Sequence, residues 1–147
     1  YAEFRRLAGR NNISEEDIDS AWLAFLSGIP DYKFELLKEL RKKYKVYLLS
    51  NTNPSVMKWA QSTDFSPEGK PLEYFFDKCY LSYQLGYAKP DRKIYEAIIK
   101  DSGMNPNETL FFDDGKANIE MAEKLGFQVY LTNQDEDLRK VFEQVEG

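Results

Sequence analysis

The sequence predicts an α/β domain whose core is a parallel β-sheet with helices on both faces. Beyond residue 45, short apolar segments suited to buried strands alternate four times with segments of helical periodicity. This alternation is typical of right-handed crossovers between parallel strands. The 147 residues are enough for one domain with a substantial hydrophobic core. Polar residues follow three of the predicted strands, and ligands bind such sheets beyond the carboxyl ends of the strands.

Two helices are predicted before the first strand. In residues 13–26, Ser14 stands three positions before Asp17, as in a capping box at a helix start. The apolar residues of this segment fall at helical spacing: Ile18, Trp22, Phe25 and Leu26. A second helix is predicted over residues 31–44, after Pro30. Its apolar positions have a similar spacing: Phe34, Leu37, Leu40 and Tyr44.

The alternating part of the chain contains four predicted strands and four predicted helices. The strands are expected over residues 45–50, 77–83, 109–114 and 128–132. The helices are expected over residues 55–62, around Ile94, Ala97 and Ile98, over residues 117–125 and over residues 135–145. Gly126 is the expected C-terminal stop of the third of these helices, which it separates from the last strand.

Composition excludes several classes of function. The net charge of −5 and the pI near 4.9 disfavour nucleic acid and anionic membranes as partners, because both would repel an acidic protein. The absence of histidine excludes Ser/His/Asp and Cys/His catalysis and removes the commonest zinc ligand. The single cysteine, Cys79, lies in an apolar run and is expected to be a buried thiol in a reducing compartment. Without a signal-peptide pattern or an apolar run long enough to span a membrane, the protein is predicted to be cytoplasmic.

Five polar residues after predicted strands form a candidate site for a phosphate and a divalent cation. They are Ser50 and Asn51 after the first strand, Lys89 after the second, and Asp113 and Asp114 after the third. The Ser50 hydroxyl and the backbone N–H groups of the following turn can bind anionic oxygens. Lys89 can neutralise the charge of a phosphate. Two adjacent carboxylates suit Mg²⁺, which prefers oxygen ligands and keeps part of its water shell.

Each candidate residue also has a simpler structural interpretation. Asp-Gly is common turn chemistry and an Asp before a helix is a good N-cap, so Asp113 and Asp114 could serve a local turn. Ser50 could be a turn residue, and Lys89 could be a solvated cation. Asn118, in the first turn of the next helix, could orient an acid or occupy an exposed helix face. The combination of these residues at one edge of one sheet favours a functional site.

The motifs that carry these residues resemble those of a known family. In chain order, "LLSNTN", "GYAKPD" and "LFFDDGKAN" resemble the second, third and fourth motifs of the haloacid dehalogenase-like (HAD) hydrolases, especially of their sugar-phosphate phosphatase branch. The match covers residues 45–132. The resemblance implies a Rossmann-like core over residues 31–147, preceded over residues 1–30 by the C-terminal part of a mobile helical cap.

The same resemblance implies a role for each candidate residue. Ser50 and Asn51 would bind the transferring phosphoryl group, and Lys89 would anchor that group together with the nucleophile. Asp114, supported by Asp113, would hold Mg²⁺. The implied activity is Mg²⁺-dependent hydrolysis of a small phosphate ester, such as a sugar phosphate, through an aspartyl-phosphate intermediate.

The first motif of the family is not found in the sequence. That motif is a strand ending in DxD, which supplies the Asp nucleophile and a second Asp as general acid and base. The DxD from Asp17 to Asp19 lies in the predicted capped helix and has no apolar strand before it. In the family, the missing strand lies between the strands that here end in Ser50 and Asp113. Because the chain begins with Tyr1 and not with Met, we expect it to start partway through the cap, to lack that central strand and to be inactive alone.

Other functions remain open from the sequence. A chain that naturally began near its first residue would be a non-catalytic phosphate-binding or regulatory relative. A metal-independent 2-haloacid dehalogenase is a further alternative, although the true dehalogenases lack the Asp-Asp pair of the fourth motif. A receiver-like signalling domain has its acid pair first and its Lys last, which is not the order found here. Nucleotide sites are disfavoured because neither GxGxxG nor the P-loop motif occurs, and the sequence indicates no oligomeric state.

Overall fold

The computed structural model, in which residues 1–24 and 28–146 are described, contains eight α-helices and four short β-strands in those residues. The helices are α1 (Ala2–Ala8), α2 (Glu15–Ala24), α3 (Asp31–Lys43), α4 (Pro54–Ala60), α5 (Ser82–Leu85), α6 (Arg92–Ser102), α7 (Lys116–Lys124) and α8 (Leu138–Glu146). The strands are β1 (Tyr47–Ser50), β2 (Lys78–Leu81), β3 (Leu110–Asp113) and β4 (Gln128–Leu131). Two 3-10 turns, Leu72–Phe75 and Pro106–Glu108, precede β2 and β3. None of the described helices is both long and apolar enough to cross a membrane.

The four predicted strands are all present, and each is shorter than expected. The difference that bears on the site is at the end of β2, where the strand predicted over residues 77–83 stops at Leu81. Ser82 instead begins α5, a single helical turn that the apolar pattern does not predict and that ends at Gly86 with a positive φ of 78°. The element order of an α/β fold is confirmed.

The predicted capping box of α2 is also confirmed. The Ser14 hydroxyl accepts a hydrogen bond from the Asp17 N–H at 3.0 Å and donates one to the Asp17 carboxylate at 2.6 Å. Asp17 therefore belongs to a helix start and not to a strand end. Phe25 and Leu26 lie outside the described residues, and Trp22 is described in its backbone alone.

The strands form two parallel pairs. β1 pairs with β2 from Tyr47 opposite Lys78 to Ser50 opposite Leu81, and β3 pairs with β4 in the same parallel sense. Parallel pairing is thus confirmed, but no ladder of backbone hydrogen bonds joins the two pairs in the described part of the chain. The carboxyl ends of β1 and β3 are Ser50 and Asp113, which carry two of the predicted site residues.

The hydrophobic core has one part on each face of β1. Successive residues of a strand point to opposite faces, and Leu48 and Leu49 pack accordingly against different clusters. Leu48 packs against a cluster of buried residues from α3, α4 and the segments around β2: Phe34, Met57, Ala60, Phe65, Phe75 and Leu81. Leu49 packs against a second cluster: Ile94, Tyr95, Ala122 and Phe127. Helices therefore cover both faces of β1, as the sequence predicts.

Cys79 is half-buried on β2 and packs against the first cluster. Burial, with a smaller contribution from the nearby Glu73 carboxylate, raises the pKa of its thiol to about 11. The side chain therefore remains a protonated thiol at neutral pH, which agrees with the structural role predicted for it.

Asp77 fixes the amino ends of β1 and β2 against each other. Its carboxylate accepts a hydrogen bond from the Val46 N–H at 2.7 Å and one from Arg41 at 3.2 Å. Its own N–H donates to the Val46 carbonyl at 2.8 Å. The hydrogen bond from Val46 and the charge of Arg41 outweigh the effect of burial and hold the pKa of Asp77 below its usual 3.8.

We therefore expect Asp77→Ala to lower the free energy of unfolding at pH 7 by roughly 1–2 kcal/mol, because two polar contacts to a charged group are lost. The pKa of Asp77 is depressed in the folded protein, so its contribution is fully present above pH 3.8 and is lost as the pH falls through the folded-state pKa. Urea unfolding at pH 7 and near pH 3 measures this. The control is Asp64→Ala, at an exposed acid in the loop after α4. If Asp77→Ala lowers the free energy of unfolding by the same amount at both pH values, the assignment is contradicted.

Candidate active site

The carboxyl ends of β1 and β3 are linked through Lys89. The Lys89 ammonium lies 2.5 Å from the Asp113 carboxylate at the end of β3. Its main chain is hydrogen-bonded to Asn51, which follows the end of β1. Lys89 precedes Pro90 in the loop between α5 and α6, and the peptide bond between them is cis. Three separate segments of the sequence therefore meet at one edge of the fold.

The ion pair between Lys89 and Asp113 is buried. The two side chains are 11% and 5% exposed. The second carboxylate oxygen of Asp113 accepts hydrogen bonds from the Gly115 N–H at 2.7 Å and from the Asn118 amide at 2.9 Å. Asp113 thus has a cation on one oxygen and two neutral donors on the other, as a buried charge requires.

Gly115 is required by the close packing around Asp113. A Cβ atom added to Gly115 would lie 2.6 Å from the Asn118 amide nitrogen and 3.0 Å from the Asp113 carboxylate. A side chain at this position would therefore displace one of the groups that hold Asp113. The glycine of "DDGK" serves the packing of the site, in addition to the turn chemistry that the sequence suggests.

Opposing effects act on the pKa of Asp113. Burial raises the pKa, but the hydrogen bonds from Lys89, Asn118 and the Gly115 N–H lower it by more in total, and the Lys89 charge adds to this. The pKa of Asp113 therefore lies below its usual value. At neutral pH the carboxylate is ionised, so the pair with Lys89 is a true ion pair.

The Asn51 side chain uses both ends of its amide on the Lys89 main chain. Its Oδ1 accepts from the Lys89 N–H at 2.8 Å, and its Nδ2 donates to the Lys89 carbonyl at 2.9 Å. This two-point contact fixes the backbone from which the Lys89 side chain extends. Asn51 therefore positions Lys89 in the structure, in addition to any contact that it makes with a phosphoryl group.

Ser50 and Asp114 have polar side-chain groups that no described residue engages. Ser50 is half-buried at the end of β1, and Asp114 is exposed directly after β3. Within residues 1–24 and 28–146, neither the Ser50 hydroxyl nor the Asp114 carboxylate makes a hydrogen bond or an ion pair. Both groups are therefore available to a ligand, next in sequence to Asn51 and Asp113, which contact Lys89.

The residues present fit a Mg²⁺ ion that keeps several of its water ligands. Mg²⁺ is commonly bound by one or two carboxylates together with water and substrate oxygens, and Asp114 offers an exposed, unengaged carboxylate. Asp113 is adjacent but already accepts three hydrogen bonds. The described residues contain no cluster of three or more Asp, Glu or Cys side chains that could hold a metal alone.

The structure brings together four of the six predicted site residues by direct hydrogen bonds or ion pairs: Asn51, Lys89, Asp113 and Asn118. Asn118 contacts Asp113 and not Asp114. Ser82 is a further residue beside the site, because its hydroxyl is bonded to the main chain of Thr52. The sequence does not indicate Ser82 as a site residue, because Ser82 falls within a predicted strand.

The sequence matches a known protein family and is similar to proteins of known activity. A family model for haloacid dehalogenase-like hydrolases matches residues 5–126. The D-ribitol-5-phosphate phosphatase of Bacteroides thetaiotaomicron is 48% identical over 142 residues, which are 94% of this chain and 68% of that protein. The chain therefore spans about two thirds of the length of this relative.

Two solved structures are similar over nearly the whole chain. One is a protein of Porphyromonas gingivalis described as a predicted HAD-like family hydrolase, with a TM-score of 0.94 and 41% identity over 99% of this chain and 70% of that chain. The other is an aspartate-to-alanine mutant of a HAD family enzyme of Bacteroides thetaiotaomicron, in complex with magnesium and inorganic phosphate. Its TM-score is 0.88 at 42% identity, over 96% of this chain and 74% of that chain.

The buried ion pair yields a prediction about stability. Lys89→Met leaves the Asp113 carboxylate buried without a cation, which should cost about 3–5 kcal/mol. Adding Asp113→Asn removes the orphaned charge, so the double variant should be more stable than Lys89→Met alone. Chemical unfolding of the wild type, both single variants and the double variant measures this cycle. An interaction energy near zero in this cycle would show that the pair is not electrostatically coupled.

Proposed function

This chain belongs to the haloacid dehalogenase-like hydrolase family, and on that premise we propose that it carries most of the active site of a Mg²⁺-dependent phosphatase. The proposed substrates are small phosphate esters, with phosphates of sugars and sugar alcohols as the first class to test. The phosphatase relative acts, by its name, on D-ribitol 5-phosphate, and it supports this choice.

Lys89 carries the assignment to phosphoryl transfer. Its ammonium group is held beside the ends of β1 and β3 by Asp113 and by the two-point contact from Asn51. An ammonium fixed in a mostly buried position can neutralise the charge of a phosphoryl group without having to reorganise during the reaction. The unengaged Ser50 hydroxyl lies at the end of β1 and can donate to a phosphoryl oxygen.

The two acids have different proposed roles. Asp113 orients Lys89 through the buried ion pair, while Asp114 offers the carboxylate for Mg²⁺. When bound, Mg²⁺ supplies positive charge that offsets the charge of the phosphoryl oxygens. Asn118 holds the Asp113 carboxylate in place through its amide. This division of roles explains why a strand would end in two adjacent acids.

The proposed nucleophile is an aspartate on a strand that lies between β1 and β3. Such a strand would come from a segment outside these 147 residues. The separation of the described strands into two parallel pairs supports this, because it leaves one edge of β1 and one edge of β3 without a ladder partner in the described residues. The aspartate would attack the phosphorus and release the alcohol, and water would then hydrolyse the aspartyl-phosphate.

The activity itself is tested with the full-length protein. We expect release of inorganic phosphate from D-ribitol 5-phosphate or another sugar phosphate in the presence of MgCl₂, and none in EDTA. The 147-residue chain alone should release no phosphate because it lacks the nucleophile. Hydrolysis by this chain alone would overturn the proposed position of the nucleophile. Halide release from 2-haloacids without a metal would favour a dehalogenase, and phosphate binding without turnover would favour a regulatory relative.

Asp114 provides the test of the metal site. In the full-length protein, Asp114→Asn should lower kcat by about 100-fold or more, because a carboxylate that neutralises the cation is lost. The melting temperature should stay close to that of the wild type, since Asp114 is exposed and its side chain makes no hydrogen bond or ion pair with the described residues. The matched control is Asp64→Asn, an exposed acid in the loop after α4. Equal turnover in the two variants would remove Asp114 from the metal site.

A further inference from the structure

Ser82, the first residue of α5, is hydrogen-bonded to both main-chain groups of Thr52. Its hydroxyl accepts from the Thr52 N–H at 3.0 Å and donates to the Thr52 carbonyl at 3.2 Å. Ser82 is 9% exposed, and it directly follows Leu81, which lies opposite Ser50 in the parallel register. The end of β2 therefore places the Ser82 hydroxyl beside the β1–α4 loop, residues 51–53.

Each residue of the β1–α4 loop is held by a different polar contact. Asn51 is bonded to the Lys89 main chain, and Asn53 accepts a hydrogen bond from the Val56 N–H at 3.0 Å as the N-cap of α4. Ser82 holds the middle residue of the loop. Because it binds an N–H and a carbonyl on either side of the same Cα atom, it restricts the backbone dihedral angles of Thr52.

The contacts of the loop form a continuous polar chain. This chain runs from Ser82 to Thr52, along the backbone to Asn51, and through the Asn51 amide to Lys89 and Asp113. A shift of the loop would therefore be transmitted to the backbone of Lys89. Phosphoryl transfer depends mainly on positioning and charge, so such a shift acts on the rate directly.

We propose that Ser82 is a positioning residue that holds the β1–α4 loop, and through Asn51 the Lys89 backbone, in the geometry that binds a phosphoryl group. This inference rests on the proposed function. Ser82 acts through Thr52, because both of its side-chain hydrogen bonds go to the Thr52 main chain. The Thr52 N–H is occupied by this contact, so the phosphoryl group is bound by other donors of the site.

The chain offers a closely matched control in Ser66. Ser66 is 7% exposed, and its hydroxyl accepts from the Lys70 N–H at 2.9 Å and donates to the Lys70 carbonyl at 2.8 Å. It therefore makes the same pair of hydrogen bonds in the loop after α4, with no contact to the polar chain of the site. Ser66→Ala and Ser82→Ala remove equivalent contacts and should lower the melting temperature by similar amounts.

The experiment compares the two variants in the full-length protein. The measurements are kcat and KM for the sugar phosphate that the wild type hydrolyses best, the Kd of inorganic phosphate in MgCl₂ by calorimetry, and the melting temperature. We expect Ser82→Ala to lower kcat by about 10- to 100-fold, because the bound phosphoryl group is misaligned. The affinity for inorganic phosphate should also fall. Ser66→Ala should retain the kcat and the phosphate affinity of the wild type at a similar cost in melting temperature.

The outcomes separate this inference from the proposed function. If the wild type hydrolyses a phosphate ester and the two variants have the same kcat and phosphate affinity, Ser82 has a merely structural role and the inference is overturned. If the wild type binds phosphate without hydrolysing any ester, the proposed function fails, and a loss of phosphate affinity confined to Ser82→Ala still supports the inference. A wild type that neither binds nor releases phosphate overturns both.

Discussion

The geometry of the site depends on the buried ion pair between Lys89 and Asp113. Removing two charges from water is costly, and the cost is offset only where the charges meet and their remaining polar atoms are hydrogen-bonded. The Lys89 ammonium meets Asp113 at 2.5 Å, and Gly115 and Asn118 bind the other carboxylate oxygen. Because no backbone ladder joins β1 to β3 in the described residues, this pair is a main polar link between the two strand pairs. The same contact therefore contributes to the fold and orients the cation of the site.

The leading helices are connected to the site through α4. The Tyr1 hydroxyl donates to Asp19 of α2 at 2.8 Å and accepts from Ser55 of α4 at 3.4 Å, and Lys58 of α4 lies 3.9 Å from Asp19. The nearby Ser55 and Tyr1 hydroxyls, with a smaller contribution from the Lys58 charge, lower the pKa of Asp19, so the acid is ionised at neutral pH. Ser55 lies in the first turn of α4, directly after the β1–α4 loop. A movement of α2 relative to the core would therefore act on α4, the helix that follows the β1–α4 loop.

The sequence predicts the elements of the fold better than the contacts within the site. Apolar runs reveal the strands because burial on both faces demands them, and the capping box of Ser14 is a local pattern that forms as predicted. The amide contact of Asn51 could not be predicted, because it depends on a residue 38 positions away and on the conformations of two loops. Ser82 was not predicted as a site residue, because the apolar pattern extends the second strand two residues beyond its observed end at Leu81. Contacts of this kind follow from tertiary packing and have no period in the sequence.

The adjacent acids of "FFDDGK" can be understood from the geometry of a strand end. Successive residues of an extended chain point to opposite sides, so one acid can face the interior while its neighbour faces solvent. Asp113 is buried against Lys89, and Asp114 is exposed. A single acid could not serve both sides, because a carboxylate that already accepts three hydrogen bonds has little capacity left for a cation. The fixed charge pair and the free carboxylate therefore require two residues, and a Cβ atom on the next residue, Gly115, would displace the Asn118 amide that binds Asp113.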